Sequence, residues 1–331
     1  MTRGPLVRRL RRLLRPVKRA ALRPGAVLLG LALRASSRKL AVAVMYHRVG
    51  DPAGDPAREL VPTQSTQSLR EQLAMLRRWY EVVPAVELEG RAAARRRFQR
   101  FPVAITFDDD WAEHHDVALP LLADPGVPAT FFLSGATLEA PYGFWYERLQ
   151  EAFDRGVAEA AFGEGAEILE VGERTTLMPP SERAALIKRL DALLDPPSGG
   201  LRADAVRKIA GAGHEIGFHT LTHDTLTTLS DGELRTAMHD GLTELEAAAG
   251  VEIEAIAYPS GQADQNVFAA AREAGFKRGY TTQPDPIGAR GDPLMQGRLD
   301  GALHSADSLH LALGRALLRK PRTRASSAGA R

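Results

Sequence analysis

At 331 residues the chain suits one large α/β domain with tails better than two full domains, and with no cysteine it has neither a disulfide framework nor a thiolate nucleophile. Its net charge of +2 hides a division: residues 1–39 carry 12 Lys/Arg and 315–331 carry 6, with no acid in either, so 40–314 holds 25 basic against 41 acidic residues, near −16. That balance argues against a nucleic-acid groove across the body, the cluster Arg95, Arg96, Arg97 and Arg100 being a local exception.

The first element, RRLRRLLRPVKRAALRP, fits a basic amphipathic helix on an anionic membrane face as well as it fits a solvated arm. Its apolar run, Gly25 to Leu33, is too short to span a bilayer and is closed by Arg34. A basic stretch before a short apolar one also leaves a signal peptide and secretion as the alternative, although the cleavage region is poor. The expected location is therefore cytoplasmic or peripheral on the inner membrane face.

From residue 40 short apolar runs alternate with helical periodicity, the pattern of βα units around a parallel sheet. Candidate strands are Leu40 to Tyr46, Pro102 to Phe107, Ala129 to Leu133, Glu215 to His219, Ala255 to Tyr258, Arg278 to Thr281 and Gly297 to Asp300. Between them Leu69, Leu73, Leu76 and Tyr80 recur at helical spacing, as do Leu234, Met238, Leu242 and Leu245 after a capping box of Ser230 and Glu233. Residues 141–200 interrupt the alternation with a helical patch at Ser181 to Leu194, and open on Phe144, Trp145 and Tyr146, aromatics that either line a sugar-sized cleft or pack the core. Leu309, Leu313 and Leu317 stripe a last helix. The expected organisation is a basic arm 1–39, a catalytic domain 40–314, and a basic tail 315–331. The expected fold is α/β, a distorted (β/α) barrel of about seven parallel strands with an insertion at about 141–200 over its C-terminal face.

Asp108 and Asp109, His219, the turn Pro259 to Gly261, and His47 each follow a candidate strand. In a (β/α) barrel that end of the strands is where active sites are built. Asp109, His219 and His223 can supply one carboxylate and two imidazoles to a divalent ion, with Asp108 beside them to activate a water. Thr220, Thr222, Asp224 and Thr225 offer groups to orient the imidazoles. The plainer reading of the acids is a solvated loop or helix cap, yet three consecutive carboxylates repel one another unless a positive group sits there. His114 and His115, near the start of the helix after the acids, can approach the metal but are expected at the surface, and His310 packs on the last helical stripe.

ITFDDD at 105–110, HTLTH at 219–223 and AYPSG at 257–261, together with MYHRV at 45–49 and PATFFLSG at 128–135, resemble the polysaccharide deacetylase family, the NodB-homology domain of carbohydrate esterase family 4. The resemblance spans about residues 40–314. It implies a metal-dependent hydrolase that removes an N-acyl group, usually acetyl, from an amino sugar in a polysaccharide or lipid-linked glycan. Asp109, His219 and His223 would be the metal ligands, Asp108 the general base and the Ser260 N–H the oxyanion donor. The implied ion is zinc, with cobalt, nickel or manganese fitting the same ligands. Three departures stand out. Asp110 occupies a position usually held by Gly, and Ala257 one where many members carry an Arg paired with the base, for which Arg298 is the candidate substitute. The late Leu-x-His motif has only ALH at 302–304 to match it, so His304 and His47 compete for the role of general acid. Two alternatives follow: a deacylase or deformylase of a small amide or formamido sugar, and a glycan-binding homologue without catalysis. An acylated amino sugar is the expected partner, with an anionic membrane reached through the basic tails and no nucleic acid.

Overall fold

The computed structural model describes residues 15–51, 54–124 and 126–321; the first part of the expected arm, 1–14, and the end of the tail, 322–331, lie outside the described residues. Its strands are β1 (Leu40–Tyr46), β2 (Glu81–Val82), β3 (Pro102–Asp108), β4 (Thr130–Leu133), β5 (Glu215–Phe218), β6 (Ala255–Ala257), β7 (Arg278–Tyr280), β8 (Ile287–Gly288) and β9 (Leu299–Asp300). The helices that pack around them are α1 (Arg15–Arg34), α2 (Thr66–Trp79), α3 (Leu88–Ala94), α4 (Leu119–Ala123), α5 (Trp145–Asp154), α6 (Glu159–Phe162), α7 (Ile168–Thr176), α8 (Pro180–Asp191), α9 (Ala203–Gly211), α10 (Asp231–Ala237), α11 (Leu242–Ala249), α12 (Gln265–Glu273) and α13 (Ala306–Leu318).

Leu40 to Tyr46 and Pro102 to Asp108 are buried at every position, as strands covered on both faces must be, and they pair in parallel from Val42 against Val103 to Tyr46 against Phe107. The parallel order runs β7, β6, β5, β4, β3, β1, with β9 continuing it beside β1 at Val44 and Met45. These seven strands curl into a partial barrel. A bridge from Tyr280 to Gln296 draws the segment before β9 toward β7, so one stretch of chain touches both edges of the seam. The two short strands not foreseen, β2 and β8, sit at the margins, β8 antiparallel against Leu40 and Ala41.

The two faces of the sheet differ in side-chain volume. Outward residues such as Val42, Val44, Val103 and Ile105 join the large core under the helices. Inward residues are small: Ala41, Ala43, Ala104, Ala255 and Ala257 leave room for Phe132, Tyr280 and a buried arginine, Arg298. The alternation of apolar side chains thus shapes a lumen that can house a charged group.

Residues 141–200 form helices α5 to α8 around a core of their own, built on Leu149, Ala152, Val171, Leu186 and Leu190. The periodic stretch read as one helix from Leu234 to Leu245 is two, α10 and α11, because Gly241 turns the chain at φ 79° between them. Within the stretch read as an arm, α1 packs on α13: Leu29 and Leu33 meet Gly314, and Gly30 lies against His310. His310 is buried there, within 3.1 Å of the Tyr80 hydroxyl. Helix α13 likewise runs into the stretch read as a tail, ending at Leu318.

Candidate active site

The C-terminal ends of β3 and β6 bring Asp109 and Ser260 to one cavity of about 330 Å³, whose lining also includes His47, Tyr146 and His223, and His219 at the end of β5 stands behind it against Asp109. Asp109, His219 and His223 are all buried, with ligand atoms within 4.8 Å of one another. Asp109 Oδ1 lies 3.5 Å from His219 Nε2 and 3.4 Å from His223 Nε2, and it accepts no hydrogen bond from any described residue. A buried carboxylate oxygen without a donor costs on the order of 1–3 kcal/mol, more when charged, so its isolation between two imidazole nitrogens fits a site made for a cation. The other oxygen, Oδ2, is held by the Trp111 indole N–H at 3.2 Å.

Tautomer and charge agree with that fit. His219 Nδ1 is 2.7 Å from the Ala257 carbonyl, so it carries the proton and leaves Nε2 with its lone pair toward Asp109. Burial pulls both imidazoles below their ordinary value, His219 to about 4 and His223 to about 3, so both are neutral at physiological pH, as metal ligands must be. The small polar groups around the pair have a different role from the one their spacing suggested. Asp224 accepts from Thr222 and pairs with Arg183 of α8, while Thr225 donates to the Thr176 carbonyl of α7 at 2.7 Å. They tie the histidine loop to the insertion, and a main-chain carbonyl orients His219.

Strain concentrates here. Of five non-glycine residues with positive φ among those described, Asp109 (75°), Thr220 (57°), His223 (52°) and Ser260 (57°) belong to this site. In the turn Pro259–Gly261, the Gly261 N–H bonds Tyr258 O and the Gln262 N–H bonds Pro259 O, so the Ser260 N–H is not used in closing the turn.

Asp108 points into the lumen, where Arg298 grips it through two hydrogen bonds of 2.6 and 2.7 Å and also bonds Thr106 and the Thr281 carbonyl. Burial pushes the Asp108 carboxyl up, but Arg298, His219 and His47 together outweigh it and hold it down at about 2. Ala257 lies in the same alanine-lined lumen that the guanidinium enters from the segment before β9. His47 Nε2 is 4.0 Å from Asp108 Oδ2 and faces the cavity, whereas His304, in the loop after β9, is not among the cavity's lining residues.

Asp110 bonds the Ser134 N–H and hydroxyl, each at 2.7 Å, and the Thr137 hydroxyl at 3.2 Å, while its carbonyl accepts from the Leu201 N–H. It ties together β3, the loop after β4 and the point where the insertion rejoins the barrel. His114, expected at the surface, is fully buried: its ring packs between Phe107 and Phe131 and its Nε2 is 2.9 Å from the His47 carbonyl. A π-helical turn, His114–Ala118, rotates it inward. The insertion forms a wall of the cavity with Trp145, Tyr146, Leu169 and Thr176, joined by Leu60. The Tyr146 ring centroid is 5.0 Å from that of His223, and burial followed by the Asp109 charge pushes its ionisation well up, leaving a hydrogen-bond donor. Trp111 and Tyr146 were not assigned individual roles in the sequence. Trp111 stands two residues after Asp109, but only the fold shows its indole meeting the carboxylate.

Solved structures share this architecture. The chain matches a Streptococcus pyogenes deacetylase, PplD, solved with acetate, at 17% identity over 83% of this chain and 98% of that one, TM-score 0.58. It matches a polysaccharide deacetylase of Bacillus cereus at 16% identity over 83% and 69% of the two chains, TM-score 0.57. IcaB from Ammonifex degensii matches at 19% identity over 85% and 97%, TM-score 0.54. At these identities the likeness establishes the fold. No curated protein matches the sequence. The polysaccharide deacetylase family model matches residues 95–279, more than half of the chain and including Asp108, Asp109, His219, His223 and Ser260. The chain belongs to the polysaccharide deacetylase family, hydrolases of carbon–nitrogen amide bonds.

Proposed function

We propose that this protein removes an N-acyl group, acetyl in the first instance, from an amino sugar in a polysaccharide or lipid-linked glycan, with a divalent ion held by Asp109, His219 and His223. The observation that carries this reading is the unbonded Asp109 Oδ1 facing two neutral imidazole nitrogens beside the clamped Asp108. A divalent ion bound there supplies Lewis-acid polarisation of the acyl oxygen and acidifies a water. Zinc suits a His₂Asp donor set, and cobalt, nickel and manganese are compatible with it.

Asp108, ionised and oriented by Arg298, accepts the proton of the attacking water. The Ser260 N–H, on the cavity lining, donates to the oxygen that gains charge. His47, facing the cavity 4.0 Å from Asp108, delivers a proton to the leaving amine, in preference to His304. The insertion's wall supports a second reading, a short substrate such as a small amide or a formamido sugar on a lipid carrier, because Leu60, Trp145 and Leu169 confine one side of the cavity. The basic terminal segments support a cytoplasmic or inner-membrane location.

Asp109→Ala and His219→Ala are each expected to lose bound metal and turnover, and full activity in both would remove the metal reading. Mass spectrometry of acetate and formate released from acylamino sugars, free and lipid-linked, separates the substrates. Acetate from oligosaccharides supports the first reading, and turnover confined to small amides or formamido sugars supports the second. Stoichiometric metal without hydrolysis of any of them would return the protein to glycan binding alone.

A further inference from the structure

The fifth non-glycine residue with positive φ, Phe98 (φ 70°), lies far in the fold from the cavity, in the turn between α3 and the N-terminal end of β3. It combines a left-handed backbone, which costs a non-glycine residue about 1 kcal/mol or more, with a side chain 61% exposed, so its ring gains little packing in return. Its surroundings are uniformly basic. The Phe98 N–H bonds the Arg34 carbonyl at the end of α1, Arg97 bonds the Ala35 carbonyl and stacks on Phe98 at 4.9 Å, and Arg100 bonds the Arg77 carbonyl of α2. Arg38 reaches the carbonyls of Leu317 and Arg319 at the end of α13. Buried Arg95 joins the segments, bonding the carbonyls of Arg34, Ser36, Arg38 and Gln99. These bonds go to main-chain oxygens, which orient the guanidinium groups without neutralising their charge. Among the described residues of this face only Arg319 comes within 4.0 Å of a carboxylate, Asp285 at 3.7 Å.

Residues 34–39, 77–78, 95–100 and 315–321 contain no Asp or Glu, whereas the body from 40 to 314 is near −16. Apolar side chains stand among the arginines: besides Phe98, Leu318 is 51% exposed, and Leu31, one turn before Arg34 on α1, is 50% exposed. We infer that this face, at the N-terminal ends of β1 and β3, is a docking surface for an anionic lipid bilayer, with Phe98 as the inserting side chain. A bilayer satisfies both features, since headgroup charge attracts the guanidinium groups and the acyl boundary accepts exposed ring and leucine side chains. A phosphate backbone would use the charge and leave the leucines in water. Because the cavity opens at the opposite, C-terminal ends of the strands, docking here turns the cavity away from the bilayer, which favours the polysaccharide among the proposed substrates over a sugar held at the same membrane by a lipid.

The test is co-sedimentation of the full chain with phosphatidylcholine vesicles, with and without phosphatidylglycerol, over a range of salt. Binding is expected only to the anionic vesicles and is expected to weaken as salt rises. Phe98→Gly relieves the backbone strain, so it should fold at least as well as the parent while partitioning about 10-fold more weakly. Arg77→Gln with Arg96→Gln, whose guanidinium groups hold no part of the turn, should weaken it about 30-fold. Equal binding to neutral vesicles, partitioning unchanged in both variants, or binding to duplex DNA without binding to anionic vesicles would each overturn the assignment.

Discussion

Asp108 and Arg298 form a fully buried pair through two short bonds, and the carboxyl is held at about 2 by that partner against the opposing push of burial. Arg298→Met removes the partner and leaves a carboxylate in an apolar lumen. It is expected to cost about 3–5 kcal/mol of stability in denaturant titrations and to raise the Asp108 carboxyl, so the variant should lose turnover even where it stays folded. His219 and His223 behave oppositely to a salt-bridged histidine. Their folded values, about 4 and about 3, lie below the ordinary 6.5, so between those limits the unfolded chain binds protons that the folded chain refuses. Metal-free protein should therefore lose stability as pH falls from about 6.5 toward 4, on the order of 3 kcal/mol for His219 if it titrates alone. His219→Gln should flatten that slope, and a slope unchanged in the variant would place the proton uptake elsewhere.

The elements around the site are held by polar ties, and Asp110 is the central one. It stands where the family usually has Gly, and its burial raises its carboxyl, yet Ser134 and Thr137 donate to it and Leu201 bonds its carbonyl. Asp110→Ala leaves those donors without an acceptor and should lower stability by about 2–3 kcal/mol, measured by chemical unfolding, with metal content unchanged. Loss of metal in that variant would assign Asp110 to the ion. The run of three acids was legible in the sequence as three carboxylates needing positive partners. Only the fold divides them: Asp108 to an arginine, Asp109 to two imidazoles, Asp110 to hydroxyls and amides. The helix boundary at Gly241 was hidden for a related reason, since hydrophobic periodicity continued across a residue whose turn interrupts the helix.

At the scale of the whole molecule, the terminal segments belong to the fold further than their charge suggests. Helix α1 lies along α13 through Leu29, Leu33 and Gly314, and Arg95 binds the carbonyls that follow it. Leu33→Ala should lower the global unfolding free energy by about 2–4 kcal/mol, as for other buried leucines, whereas a merely appended arm would leave it unchanged. The molecule is also polarised. Basic residues gather at the N-terminal ends of β1 and β3, and the cavity with Asp109 and Glu173 in its lining lies at the opposite ends of the strands.

Taken by itself, the sequence determined seven strands along the chain, the parallel α/β class and the family, because those follow from local apolar runs and from short motifs at strand ends. It also marked Asp108, Asp109, His219, His223 and Ser260 as neighbours, since a barrel collects such ends on one face. What only the tertiary structure decided concerns residues far apart in the chain. Arg298 meets Asp108 across 190 positions because alanines on β1, β3 and β6 leave the lumen open to it. His114 turns inward because of a π-helical turn, and Tyr146 reaches the cavity because an insertion with its own core folds back over the barrel. Such contacts depend on volumes and distances that no local pattern encodes.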